Sequence, residues 1–143
     1  MSAENPNASE PLEASLLEEL QRRIGYEFRD KSLLLSALTH ASGAEHRLAS
    51  NERLEFLGDA ILGAVVCELL FQQYPEYLEG ELTRLKSIVV SRQTCAKISE
   101  ALGMQEFLIL GKGMATNPNV PTSLLSDVYA SLVASIYLDC GDS

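Results

Sequence analysis

Apolar positions recur at helical spacing in one segment of this chain after another. Leu16, Leu17, Leu20 and Ile24 stand at i, i+1, i+4 and i+8, the stripe of a helix over Leu12 to Ile24, and Gly25 stops it. Asp30 is placed to N-cap a second helix, Lys31 to Thr39, carrying Leu33, Leu34, Leu35 and Leu38. After a polar loop over 43–50, Ser50 or Asn51 can cap a long third helix that ends near Tyr74, before Pro75. In it Leu54, Leu57, Ile61 and Val65 form a core stripe. Ala60 to Cys67 is apolar all round, so this helix is expected to run through the middle of the domain. Glu79 to Lys86 opens a fourth helix with acids before bases, the order the macrodipole favours. Arg92 to Leu102 reads as a fifth, with Cys95, Ile98 and Leu102 inward and Gly103 at its end. Thr122 or Ser123 can cap the last helix, Leu124 to about Leu138, whose Leu125, Val128, Leu132, Ile136 and Leu138 pack inward.

Phe107 to Leu110 is a short apolar run. A lone strand would have no partner in an otherwise helical chain, so a short helix or packed turn is expected there. No internal repeat interrupts the pattern, and the fold class is all-α. Residues 1–10 are polar and read as disordered, which leaves 11–143 as one domain.

Composition agrees with that picture. A chain of 143 residues, 46% apolar and 22% charged, suits one globular domain with a proper core. No apolar run looks long enough to span a bilayer and no signal segment opens the chain, so a cytoplasmic protein with no membrane partner is expected. Cys67, Cys95 and Cys140 are odd in number and lack CxxC spacing, which argues for reduced thiols rather than zinc. No motif asks for an organic cofactor. A net charge of −9 argues at first sight against nucleic acid, because phosphate binding usually leaves a basic footprint.

The third helix changes that picture. Glu52, Glu55 and Asp59 fall at i, i+3 and i+7, within an arc of roughly 60°. Like charges at this spacing repel, and a buried core beside them raises their pKa values. A divalent cation offsets that cost, and hard Mg2+ prefers carboxylate oxygens. The plainer alternative is a solvated acidic first turn that favours the macrodipole. Phe56 lies near the acidic side, away from the core stripe. It is either a contact for a partner subunit or part of a small second core under a loop.

The run Asn51-Glu52-Arg53-Leu54-Glu55-Phe56-Leu57-Gly58-Asp59-Ala60 resembles the signature of the ribonuclease III family. Ile24 to Phe28 and Leu35 to Ser42 resemble the same family, and the likeness covers about residues 15–141. It implies a homodimeric, Mg2+-dependent endonuclease, with Mn2+ as a possible substitute, that makes 5′-phosphate ends on double-stranded RNA in rRNA and mRNA precursor processing. The same likeness puts metal on Glu55, Asp59 and Asp127 and brings Glu52 and Glu79 together near the cleavage site and dimer interface. It seats Phe56 in the partner, turns Thr39 and His40 toward RNA, and makes Lys112 a phosphate contact. On the residues alone, His40 is a helix-end histidine satisfying carbonyls, Glu79 an ordinary helix-start acid and Lys112 a solvated turn lysine. Bacterial members usually carry a separate basic RNA-binding domain, whose linker would begin at Ser143, so the chain is read as the endonuclease domain without it.

One position departs from the pattern. The family's second acidic motif is Asp-x-x-Glu; Asp127 matches its aspartate, but Ala130 stands where the glutamate belongs. Ile136-Tyr137-Leu138-Asp139 keeps the surrounding register. Alanine supplies no anionic oxygen, so the expectation is a cleavage-deficient domain that folds, dimerises and holds Mg2+ weakly. RNA binding through phosphates and 2′-hydroxyls would survive. The alternative from another class is a non-catalytic RNA-binding or scaffold domain, against which the retained Glu55, Asp59 and Asp127 argue.

Overall fold

The computed structural model describes residues 14–111 and 120–141. Its described helices are α1 (Ala14–Ile24), α2 (Lys31–Leu38), α3 (Glu52–Gln73), α4 (Glu79–Val89), α5 (Arg92–Ala101) and α6 (Thr122–Gly141), with short 3-10 turns at Ala41–Gly43, Arg47–Ala49 and Met104–Glu106. The all-α expectation holds. Gly25 ends α1 at φ 72°, and the Asp30 carboxylate caps α2 by accepting from the Ser32 amide at 3.0 Å. At the start of α3 the Ser50 hydroxyl accepts the Glu52 N–H at 3.4 Å, while the Asn51 side chain makes no cap bond.

The core is built around α6. Leu20 and Phe28 meet Leu34 and Leu38 of α2, Met104, Phe107 and Ile109, and Val128 and Leu132 of α6. By length and composition α6 is apolar enough to cross a membrane, contrary to the expectation that no such run exists, yet more than half of it is buried inside the domain. Small polar groups are buried along it: the Ser131 and Ser135 hydroxyls donate to carbonyls of their own helix, at Asp127 and Leu132. At its far end the buried Asp139 accepts from the Tyr26 hydroxyl and from the Arg29 and Asp30 amides.

Several expectations fail at this level. α3 does not run through the middle of the chain: Val65 of the expected stripe is 48% exposed, and Leu69 and Phe71 are more open still. Only Gly58 and Val66 of this helix are buried. An apolar helix looks central from sequence whether its cover comes from its own chain or elsewhere. Ile98 and Leu138 also face out, because each sits on the flank of its helix rather than over the core. Phe107 is the buried, turn-forming cap of the Met104–Glu106 turn, but the run does not continue as a turn: Ile109 forms an isolated parallel bridge to Thr39, with the Ile109 amide donating to Leu38 and the His40 amide to Ile109. Its partner is the frayed end of α2, which no local pattern announces.

Candidate active site

The site lies where α3 crosses α6, the most extensive helix contact of the domain. Gly58 makes the crossing possible: a Cβ there would lie 1.8 Å from the Ala130 carbonyl oxygen. With the backbones this close, Glu55 and Asp59, one turn apart on α3, face Asp127 on α6. Asp127 is near enough to Glu55 for a hydrogen bond between the two carboxyls to favour the protonated form. Burial first, then that hydrogen bond, then the charges of Asp127 and Asp59 push the Glu55 carboxyl up to about 7, against the opposing effect of Arg92. Burial also raises Asp59, helped by Asp127 and opposed by Arg92.

Ala130 sits one turn beyond Asp127 and is only 3% exposed. Among the described residues, no three acidic, histidine or cysteine side chains form a ready cage for a metal ion. The cluster therefore offers oxygen donors of the kind Mg2+ takes, two on α3 and one on α6, without gathering them.

Asn51 sets where this arrangement begins. Its amide donates to the Thr39 carbonyl at 2.8 Å, its side chain to Ala37 at 3.2 Å, and its carbonyl accepts from Ser131 at 3.1 Å. One residue thus joins the end of α2, the start of α3 and the middle of α6. Thr39 and His40 are held beside the signature by this link. The Thr39 hydroxyl donates to Leu35 at 2.6 Å. His40 does not satisfy helix-end carbonyls: its Nδ1 accepts the Ser42 amide at 3.0 Å, capping the next turn and leaving Nε2 as the ring's donor.

Glu52 is not part of the cluster. It pairs with Arg47 at 2.6 Å, on the side of α3 where Phe56 is 81% exposed beside Leu48 and Leu57. Glu79 starts α4, accepts from the Thr83 hydroxyl at 2.8 Å and lines a groove with Leu70 and Phe71. Within one chain the two glutamates are thus separated by most of α3, roughly 27 Å of helix. Lys112 lies outside the described residues. Sequence reasoning missed Arg92, whose Nη2 lies 2.9 Å from Asp127 Oδ1. A signal was present: a cation in the first turn of a helix with no acid there to favour it.

A family model described as ribonuclease-III-like matches residues 30–143, most of the chain. The chain belongs to the ribonuclease III-like family. It is 58% identical over 125 residues to ribonuclease 3 of Rhodopirellula baltica, covering 87% of this chain and 47% of that protein. Ribonuclease 3 of Symbiobacterium thermophilum is 46% identical over 120 residues, covering 82% and 51%. The chain thus spans about half the length of these curated relatives. The ribonuclease III nuclease domain of Campylobacter jejuni, a structure noted for flexibility in the region involved in its dimer formation, superposes with a TM-score of 0.83 at 38% identity, covering 87% of each chain. The ribonuclease III-like nuclease fold therefore accounts for the α3–α6 crossing and the residues it brings together.

Proposed function

We propose that the chain is a Mg2+-dependent endoribonuclease domain that hydrolyses phosphodiesters of double-stranded RNA, as in precursor rRNA and mRNA, and that Ala130 leaves it deficient in cleavage. The observation that carries this reading is that Glu55 and Asp59 of α3 lie close enough to Asp127 of α6 for its charge to raise both their pKa values. A domain without metal chemistry has little use for three acidic side chains at one helix crossing, two of which burial pushes toward the protonated form. The relatives named ribonuclease 3 support the same conclusion.

In this reading Glu55, Asp59 and Asp127 would be the residues to hold Mg2+, or Mn2+. The ion, when bound, lowers the pKa of a water and stabilises the leaving oxygen. Glu55, whose proton burial favours, would have to lose it to serve as an anionic ligand. Gly58 sets the distance between the two helices, and Asn51 fixes the start of α3 relative to Thr39 and His40, which face the duplex. Ala130 contributes no fourth carboxylate, so an ion is held with too few anionic ligands.

Two features support a homodimer. Phe56 stands out from the surface, and Val65, Leu69, Phe71, Ile88 and Val89 are further exposed large apolar side chains on α3 and α4. A second copy covering them would seat Phe56 and bring Glu52 of one chain toward Glu79 of the other. Each site of the pair would then cut one strand.

Ala130 and the absence of a ready cage among the described residues favour one other reading, a non-catalytic RNA-binding or scaffold domain. A perfect RNA duplex in Mg2+ separates the two. The proposal expects little cleavage by the chain as given and staggered cuts by Ala130→Glu. If both proteins bind the duplex and neither cuts it, the non-catalytic reading takes its place.

A further inference from the structure

We propose that Arg92 is a resident counter-charge of the carboxylate site, which holds Asp127 when no divalent cation is bound and competes with the cation for it. The inference rests on the reading of Glu55, Asp59 and Asp127 as metal ligands. Arg92 Nη2 contacts Asp127 Oδ1 at 2.9 Å, so the one carboxylate that α6 supplies is already engaged by a cation. Its charge also acts on Glu55 and Asp59, opposing the rise that burial imposes on each.

The position of Arg92 in its helix supports a role beyond bracing. It is the first residue of α5, with Ser91 as N-cap and no acid in the first turn. A cation there meets the positive end of the macrodipole and costs the helix stability. Asp127, from another helix, is what compensates it. The Arg92 side chain is 57% exposed whereas Asp127 is 22% exposed, so the guanidinium can turn out to water while the carboxylate stays in place. Asp127, the carboxylate in contact with Arg92, is partly neutralised already. With alanine at 130, every carboxylate Arg92 holds is a larger share of the anionic ligands that remain.

Mn2+ titration calorimetry tests this on the chain as given, Arg92→Gln, Arg92→Met, Arg92→Lys and Ala130→Glu, with folding checked by circular dichroism. Both neutral variants should bind Mn2+ roughly fivefold to tenfold more tightly, as expected for removal of one nearby positive charge. Arg92→Lys, which keeps the charge, should stay within about twofold of the parent. Arg92→Met retains an apolar stem and serves if the glutamine variant does not fold. A mere brace between α5 and α6 would instead lower the Tm and leave Mn2+ affinity unchanged or weaker. That result in the neutral variants, with Ala130→Glu binding Mn2+, overturns the competition and spares the metal site. Absence of Mn2+ binding in every protein, Ala130→Glu included, overturns both.

Discussion

Glu55 and Asp139 are both altered by the fold, in opposite directions. Glu55, with its carboxyl raised to about 7, keeps a proton in the folded chain that an ordinary glutamate releases near pH ~4.3. Its contribution to stability is therefore complete below pH ~4.3 and is lost as pH rises through about 7. Glu55→Gln should be more stable than the parent in metal-free urea unfolding at pH ~8, by ~1 kcal/mol once solvent screening is allowed for. At pH ~4 the difference should vanish. A glutamine variant less stable at the higher pH would show that the ionised carboxylate is welcome in the fold. Asp139 runs the other way: the Tyr26 hydroxyl first, then the Arg29 and Asp30 amides, hold its carboxyl below the usual range. Its stabilising effect is present above an unfolded pKa of ~3.9 and is lost as pH falls through the lower folded value. Asp139→Asn should lower the Tm at pH ~7, and the gap to the parent should close in acid. A gap that persists unchanged below both pKa values would assign the loss to shape rather than charge.

Helix α3 joins two environments at Gly58. Toward its N-terminus it lies against α6 so closely that a methyl group at 58 would meet the Ala130 backbone, which cannot give way as a flexible side chain can. Gly58→Ala should cost ~2 kcal/mol or more and force the helices apart at the site. Gly63, one and a half turns on, is the control. A Cβ there meets only the end of the Lys86 side chain at 3.6 Å, so Gly63→Ala should be neutral or gain up to ~1 kcal/mol of helix propensity. Equal effects of the two substitutions in urea unfolding would remove the special status of the crossing. This distinction was not legible in the sequence. Both glycines lie in one apolar helical run, and periodicity does not say which face meets a backbone and which meets a mobile lysine.

The exposed apolar surface belongs to the scale of the whole molecule. Phe56, Val65, Leu69 and Phe71 on α3, with Ile88 and Val89 on α4, are too many large side chains to leave in water without purpose. In the proposed homodimer a two-fold axis would present the same residues from both subunits. If the proposed dimer seats Phe56 as an aromatic anchor, Phe56→Ala should weaken association by roughly tenfold or more, and sedimentation equilibrium would measure it. An unchanged association constant would move the interface off Phe56.

Local chemistry was enough to determine that α1 to α6 are helical and where α1 and α3 stop. Gly25, Asp30 and Pro75 act through their own backbone geometry and need no distant partner. The acidic residues of the signature and the alanine at 130 were also legible, because residue type and helical spacing are properties of the chain alone. Tertiary structure decided the remainder. Arg92 and Asp127 are 35 residues apart and meet only because α5 and α6 pack together. Glu52 pairs with Arg47, in the Arg47–Ala49 turn, rather than joining the cluster. Ile109 found a backbone partner in Thr39, and α3 proved half exposed, because what covers an apolar face depends on long-range packing rather than on the face itself.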